Sequence, residues 1–143
     1  MCSSDLHLVG DKALRAVAGA LREQLRSYDL AGRFGGEEFA ILLPQTREAQ
    51  ALRIAERLRT HIASLTIGVG EDAATGPVIR LTVSVGVASL DRIGSELTDL
   101  LAAADAALYL AKQAGRNQTR IATAGTPTPL AQAVPAARPA PSA

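Results

Sequence analysis

Apolar positions recur in this chain in three long stretches at spacings of three and four, and between those stretches they alternate. Leu14, Val17, Ala18, Leu21 and Leu25 form the first set, an amphipathic helix of roughly fifteen residues with Asp11 placed as its N-cap. Residues 46–63 form the second helix, with Leu52, Ala55, Leu58 and Ile62 as its inward stripe and Arg53, Arg57 and Arg59 facing out. Thr46 and Glu48 suit its first turn, where an acid meets the positive end of the helix dipole. Residues 95–114 form the third, capped by Ser95, lined by Leu97, Leu100, Leu101, Ala104 and Leu108, and stopped by Gly115. Strands fill the gaps. Residues 29–34 lead into a hairpin, and Phe39, Ile41 and Leu43 leave it on one face. Residues 65–69 and 78–88 form a second hairpin, and 117–122 a last strand. In the longer of these, Leu81, Val83, Val85 and Val87 alternate with Thr82, Ser84 and Gly86, a small face suited to helix packing. The expected fold is α/β of the α+β kind: a mixed, largely antiparallel sheet with helices on its faces.

Composition narrows the function classes. The 143 residues carry a net charge of +1, so no strong field points to nucleic acid or a membrane surface. No apolar run is long enough to span a bilayer. The single cysteine, Cys2, cannot form an internal disulfide, which makes a reducing, cytoplasmic setting the default expectation. No signal-peptide pattern opens the chain. From Thr123 the residues are mostly Ala, Pro, Thr and Ser, too few large apolar groups to offset ordering entropy, so 123–143 reads as a disordered tail.

The chemistry concentrates at the first bend, Arg33-Phe34-Gly35-Gly36-Glu37-Glu38-Phe39. Adjacent glycines allow a positive φ or the close approach of a ligand to bare backbone. Glu37 and Glu38 should point to opposite faces, so at most one heads for such a ligand. An acid at the tip of a rigid hairpin suits a metal-assisted phosphate site. An ordinary Gly-Gly turn with solvated glutamates fits the same residues.

The run Gly35-Gly36-Glu37-Glu38-Phe39 resembles the signature of the GGDEF family of diguanylate cyclases in its Glu-Glu variant. The resemblance covers about residues 7–122 and includes a second fingerprint, Tyr109-Leu110-Ala111-Lys112-Gln113-Ala114-Gly115-Arg116-Asn117. It implies a fold similar to nucleotide cyclases and the polymerase palm, and the condensation of two GTP into cyclic di-GMP and two pyrophosphates with Mg²⁺. It implies that Glu37 is metal ligand and catalytic acid, with Glu38 a second contributor. His7 and Asp11 would lie against guanine, whose paired N–H donors a carboxylate can accept. Gly35, Gly36, Lys112 and Arg116 would meet the rest of the substrate, the two cations converging on its phosphates. Two cations at a helix C-terminus also need no ligand, since the dipole favours them. Arg26-x-x-Asp29, five residues ahead of Gly35, matches the family's inhibitory product site, and Arg57 the position of a further arginine there. Taken alone, Arg26 and Asp29 read as a surface ion pair. The symmetric product implies a homodimer through the active-site face.

The chain departs from the family at its front. Complete members carry a strand and helix ahead of the His-x-x-Gly-Asp run, with an Asp metal ligand, a phosphate-side Lys and a guanine-reading Asn. Only Met1–Leu6 stands there, and Asp5 falls at none of those positions. Met1–Leu6, without periodicity, reads as an artefactual or disordered leader. The expectation is a domain over 7–122 that lacks its first strand and helix and is inactive alone, from a parent that is membrane-anchored or free. The alternatives are a degenerate domain that serves as a cyclic di-GMP receptor, and a dimerisation module with no ligand.

Overall fold

The computed structural model describes residues 3–70 and 75–125, with side chains described from Leu6 onward. Cys2, the centre of the loop at 71–74 and the tail from 126 lie outside the described residues. The elements run α1 (Ser3–Gln24), β1 (Leu30–Arg33), β2 (Phe39–Leu42), α2 (Glu48–Ser64), β3 (Ile67–Gly68), β4 (Val78–Ile79), β5 (Val85–Val87), α3 (Leu90–Ile93), α4 (Leu97–Gln113) and β6 (Thr119–Ile121).

Helix α1 starts well ahead of the expected boundary. Asp11 is therefore not an N-cap. It sits inside the helix, and its carboxylate meets Arg15 one turn on at 3.0 Å. Gly10 does not stop the helix, because one internal glycine costs only about 1 kcal/mol. Val17, Ala20 and Leu21 of α1 pack on Ile54, Leu58 and Ile62 of α2, and Leu25, Phe39, Ile41, Leu43, Leu65, Leu81 and Val83 close around them. The expected inward face of the hairpin is thus the observed one. Within α2, Ile54 is buried where Leu52 was expected to be, since Leu52 stands one residue off the stripe's centre and is only half-buried.

Three two-stranded ladders form. β1 pairs antiparallel with β2, Arg33 opposite Phe39 and Leu30 opposite Leu42. β3 pairs antiparallel with β4. β5 pairs parallel with β6, Val85 opposite Thr119. The long strand expected over 78–88 is split, because residues 80–84 have no ladder partner among the described residues. Leu81 and Val83 nevertheless turn toward the core, as their alternation requires.

Helix α4 begins at Leu97 with Glu96 at its N-cap, so Ser95 lies outside it, and the four-residue α3 precedes it. Its buried face is alanine: Ala106, Ala107 and Ala111, while Leu97 is 56% exposed. The reason is Gly86. A Cβ there would lie 2.0 Å from the Ala104 carbonyl oxygen and 2.5 Å from the Leu108 nitrogen. The helix rides so close to β5 that only small side chains fit between them. The small face of that strand therefore serves strand–helix packing, as its composition suggested.

Candidate functional site

The bend at Gly35–Glu38 is built on the β1–β2 ladder. Both the Phe34 and Gly35 N–H groups donate to the Glu38 carbonyl, at 2.8 and 3.3 Å. Arg33 closes it from one side. Its Nε donates to the carbonyls of Gly35 and Gly36, each at 3.1 Å, and its Nη2 donates to Gly36 again. The sequence reading passed over Arg33; its place two residues ahead of the glycine pair was the available signal. Neither glycine takes a positive φ. A Cβ on Gly36 would meet nothing within 4 Å, and one on Gly35 only the Glu38 side chain, at 3.6 Å from Oε2. The bend therefore needs glycine neither for its backbone conformation nor for its own packing.

The two glutamates differ. Both precede the first residue of β2, so strand alternation does not place them. Glu37 is exposed and its carboxylate has no partner among the described residues. Glu38 is half-buried, and its Oε1 lies 3.5 Å from the Lys112 ammonium. This contact joins the hairpin to the end of α4 and brings two separate motifs into one place. Arg116 is not one helical turn above Lys112, as an i,i+4 pairing supposes. Helix α4 ends at Gln113, and Gly115 follows in the left-handed region at φ 114°. The Arg116 N–H donates back to the Ala111 carbonyl at 3.0 Å, the closing bond of a Schellman cap. Its guanidinium makes no hydrogen bond or ion pair among the described residues.

His7 and Asp11 lie one turn apart on α1, both exposed. No hydrogen bond or ion pair joins them to the bend among the described residues.

Arg26, Asp29 and Arg57 gather at the other end of α1. The Asp29 Oδ2 accepts from the Arg26 backbone N–H at 2.8 Å, and the Asp29 N–H donates to the Arg26 carbonyl at 3.1 Å. The surface ion pair read from the spacing does not form, because the short Asp side chain caps its own turn instead. The Arg26 guanidinium turns to Tyr28, donating to the hydroxyl at 2.9 Å and lying 5.7 Å from the ring centroid. Arg57 reaches back from α2 to the Gln24 carbonyl at 2.9 Å. Asp29 Oδ1 is shielded from solvent without a hydrogen-bond partner among the described residues.

Two polar networks tie α2 to the later elements. Glu48 accepts from Arg92 (2.8 Å to Nη2) and from the Ser89 hydroxyl (3.0 Å), and the Arg92 bond holds its carboxyl below the usual range. Glu56 accepts from Arg59 at 2.8 and 3.0 Å and from the Thr119 hydroxyl at 2.6 Å. These bonds, the Arg59 one foremost, hold its carboxyl at about 2. Arg59 was expected to face solvent, yet its side chain is only 18% exposed, drawn in by partners distant in sequence.

Helices against short sheets, with a bare glycine bend facing a lysine across an acid, define a nucleotide-cyclase-like α+β domain. The chain matches the family model "Diguanylate cyclase, GGDEF domain" over residues 7–118, and it belongs to that family. It is 40% identical to the response regulator PleD of Caulobacter vibrioides over 113 residues, covering 78% of this chain and 24% of PleD. It is 40% identical to the diguanylate cyclase DgcP of Pseudomonas aeruginosa over 117 residues, 81% of this chain and 16% of DgcP. The chain thus spans a minor part of the curated relatives it matches. Among solved structures, the GGDEF domain of DgcB from Caulobacter crescentus, in complex with cyclic di-GMP, superposes with a TM-score of 0.70 at 29% identity, covering 80% of this chain and 66% of that one. No helix among the described residues is long and apolar enough to cross a membrane.

Proposed function

We propose that this chain is the GTP-binding and catalytic domain of a diguanylate cyclase, in which two domains face each other and convert two GTP into cyclic di-GMP and two pyrophosphates. The observation that carries the reading is the bend: an unpartnered Glu37 carboxylate beside two glycines that neither the fold nor the turn requires. Asp11 and His7 take the guanine edge. Gly35 and Gly36 let the nucleotide lie on bare backbone. Arg116 and Lys112 hold the phosphates, Lys112 exchanging its contact with Glu38 for a phosphate oxygen. In each half-reaction the ribose 3′-oxygen of one GTP bonds to the α-phosphorus of the other. The bond to the pyrophosphate leaving group breaks, and the hydroxyl proton is released.

Glu37 fits a Mg²⁺ ion as a single free carboxylate, and Mg²⁺ is commonly held by one or two carboxylates together with substrate phosphates. When bound, Mg²⁺ supplies charge neutralisation at the phosphates and acidifies the attacking hydroxyl. Before the nucleotide arrives Lys112 engages Glu38 and leaves Glu37 as the one free carboxylate of the bend; the 143-residue chain alone is inactive. Arg26, Asp29 and Arg57 form the product site that restrains the enzyme. Mg²⁺–GTP should raise the melting temperature of the chain, and in the intact parent protein Glu37→Ala should lower cyclic di-GMP formation by about a hundredfold or more. Equal turnover by Glu37→Ala would overturn the cyclase reading.

A second reading rests on Asp29 Oδ1, a shielded acceptor without a hydrogen-bond partner among the described residues, in the turn that Arg26 opens. It makes the domain a cyclic di-GMP receptor. Dinucleotide binding that survives Glu37→Ala, without turnover of GTP by a full-length version, would select it.

A further inference from the structure

Three residues in succession take left-handed backbone after α4: Gly115 at φ 114°, Arg116 at 62° and Asn117 at 47°. Glycine closes the helix there without strain. Asn tolerates the region, but Arg does so uncommonly, and such a conformation persists only where its surroundings over-determine it. The surroundings are visible. The Arg59 Nη1 donates to Asn117 Oδ1 at 2.7 Å and to the Asn117 carbonyl at 3.4 Å. Glu56 fixes the Arg59 fork from the other side, and through Thr119 it also fixes the strand that the turn leads into. The Asn117 N–H donates to Ser84 Oγ at 3.2 Å, and Gln118 donates to the carbonyls of Ala114 and Arg116 at 3.0 and 3.2 Å. The Asn117 N–H, carbonyl and Oδ1 are all engaged inward, while the Arg116 guanidinium has no partner among the described residues.

We propose that Arg59 and Glu56 are positioning residues for Arg116: from α2 they lock the left-handed turn that presents its guanidinium to the nucleotide phosphates. This rests on the reading of Lys112 and Arg116 as the phosphate site. Neither residue touches substrate; both act through Asn117 and Thr119. An unlocked turn would relax toward the ordinary backbone region and spread the Arg116 side chain over many directions.

The test is isothermal titration of the full chain with Mg²⁺–GTP, Mg²⁺–GMP and cyclic di-GMP. The unaltered protein should prefer GTP to GMP. Arg59→Ala should cut that preference about tenfold, leaving GMP and cyclic di-GMP affinities within about twofold. Arg59→Lys, which keeps the charge without the fork, should fall between. If Arg59→Ala does not fold, Asn117→Gly tests the same link, since it keeps the left-handed backbone easy but removes the Oδ1 acceptor; its GTP preference should drop about threefold. A GTP preference unchanged in these variants overturns the proposal, as does a proportional loss of all three ligands, the mark of general loosening. An unaltered chain with no preference for GTP over GMP would remove the phosphate-site reading itself.

Discussion

Gly86 and the pair Gly35–Gly36 are the same residue type put to opposite uses. At Gly86 the α4 backbone sits where a Cβ would have to be. At Gly36 the space is open to 4 Å, and the backbone is one any residue could adopt. The first glycine is explained by the fold, and nothing within the chain explains the second. A residue that its own fold does not need is where the proposed nucleotide would make its demand.

That contrast is open to attack. The largest expected effect is Gly86→Ala. Because backbone rather than a flexible side chain stands in the way, α4 must move off β5, and stability should fall by about 3 kcal/mol in denaturant unfolding. A loss under about 1 kcal/mol would mean that the helix gives way easily, and the contrast would lose one side. Gly36→Ala should leave stability within about 0.5 kcal/mol yet weaken Mg²⁺–GTP binding about tenfold, some 1.4 kcal/mol. Unchanged affinity would return the bend to an ordinary turn.

Smaller effects sharpen the same comparison. Arg33→Ala removes the clamp on the Gly35 and Gly36 carbonyls, which water can then solvate, so stability should fall by about 0.5–1 kcal/mol. The hairpin amides should exchange faster while those of α4 do not. An effect of similar size is in pH. Glu56 titrates at about 2 in the folded protein against 4.5 ordinarily. Its contribution is present above about 4.5 and is lost as pH falls toward 2. With the carboxylate half exposed, solvent screening reduces that contribution to about 1 kcal/mol. The stability difference between the unaltered chain and Glu56→Gln should shrink over that window.

What the sequence made legible was local. The hairpin, its inward face at Phe39, Ile41 and Leu43, the α2 stripe through Ala55, Leu58 and Ile62, and the glycine stop after α4 follow from spacing and turn chemistry. The α4 stripe was misjudged because Leu97 and Leu101 are the more apolar residues, whereas burial is set by how near Gly86 lets the helix come. Asp11 looked like a cap because it stands just before the apolar pattern that opens at Leu14, and the continuing helix was the stronger tendency. Arg59 could not be singled out among three α2 arginines, since its partner Asn117 is supplied by the far end of the domain. Lys112 and Glu38 each stood in a recognisable motif, but only the folded chain sets them face to face.

The dry oxygen of Asp29 carries a further lesson. Stripping water from a carboxylate oxygen without replacing its bond costs about 1–3 kcal/mol, and here that is spent when the chain folds, before any visitor arrives. An atom closed to water is closed to a guest as well, so a guest's N–H could reach it only after the groups that cover it move aside. Under the proposed product site, a guest with the donor would recover that cost and one without it would leave the deficit standing, so discrimination there would be set by what folding has left unsatisfied.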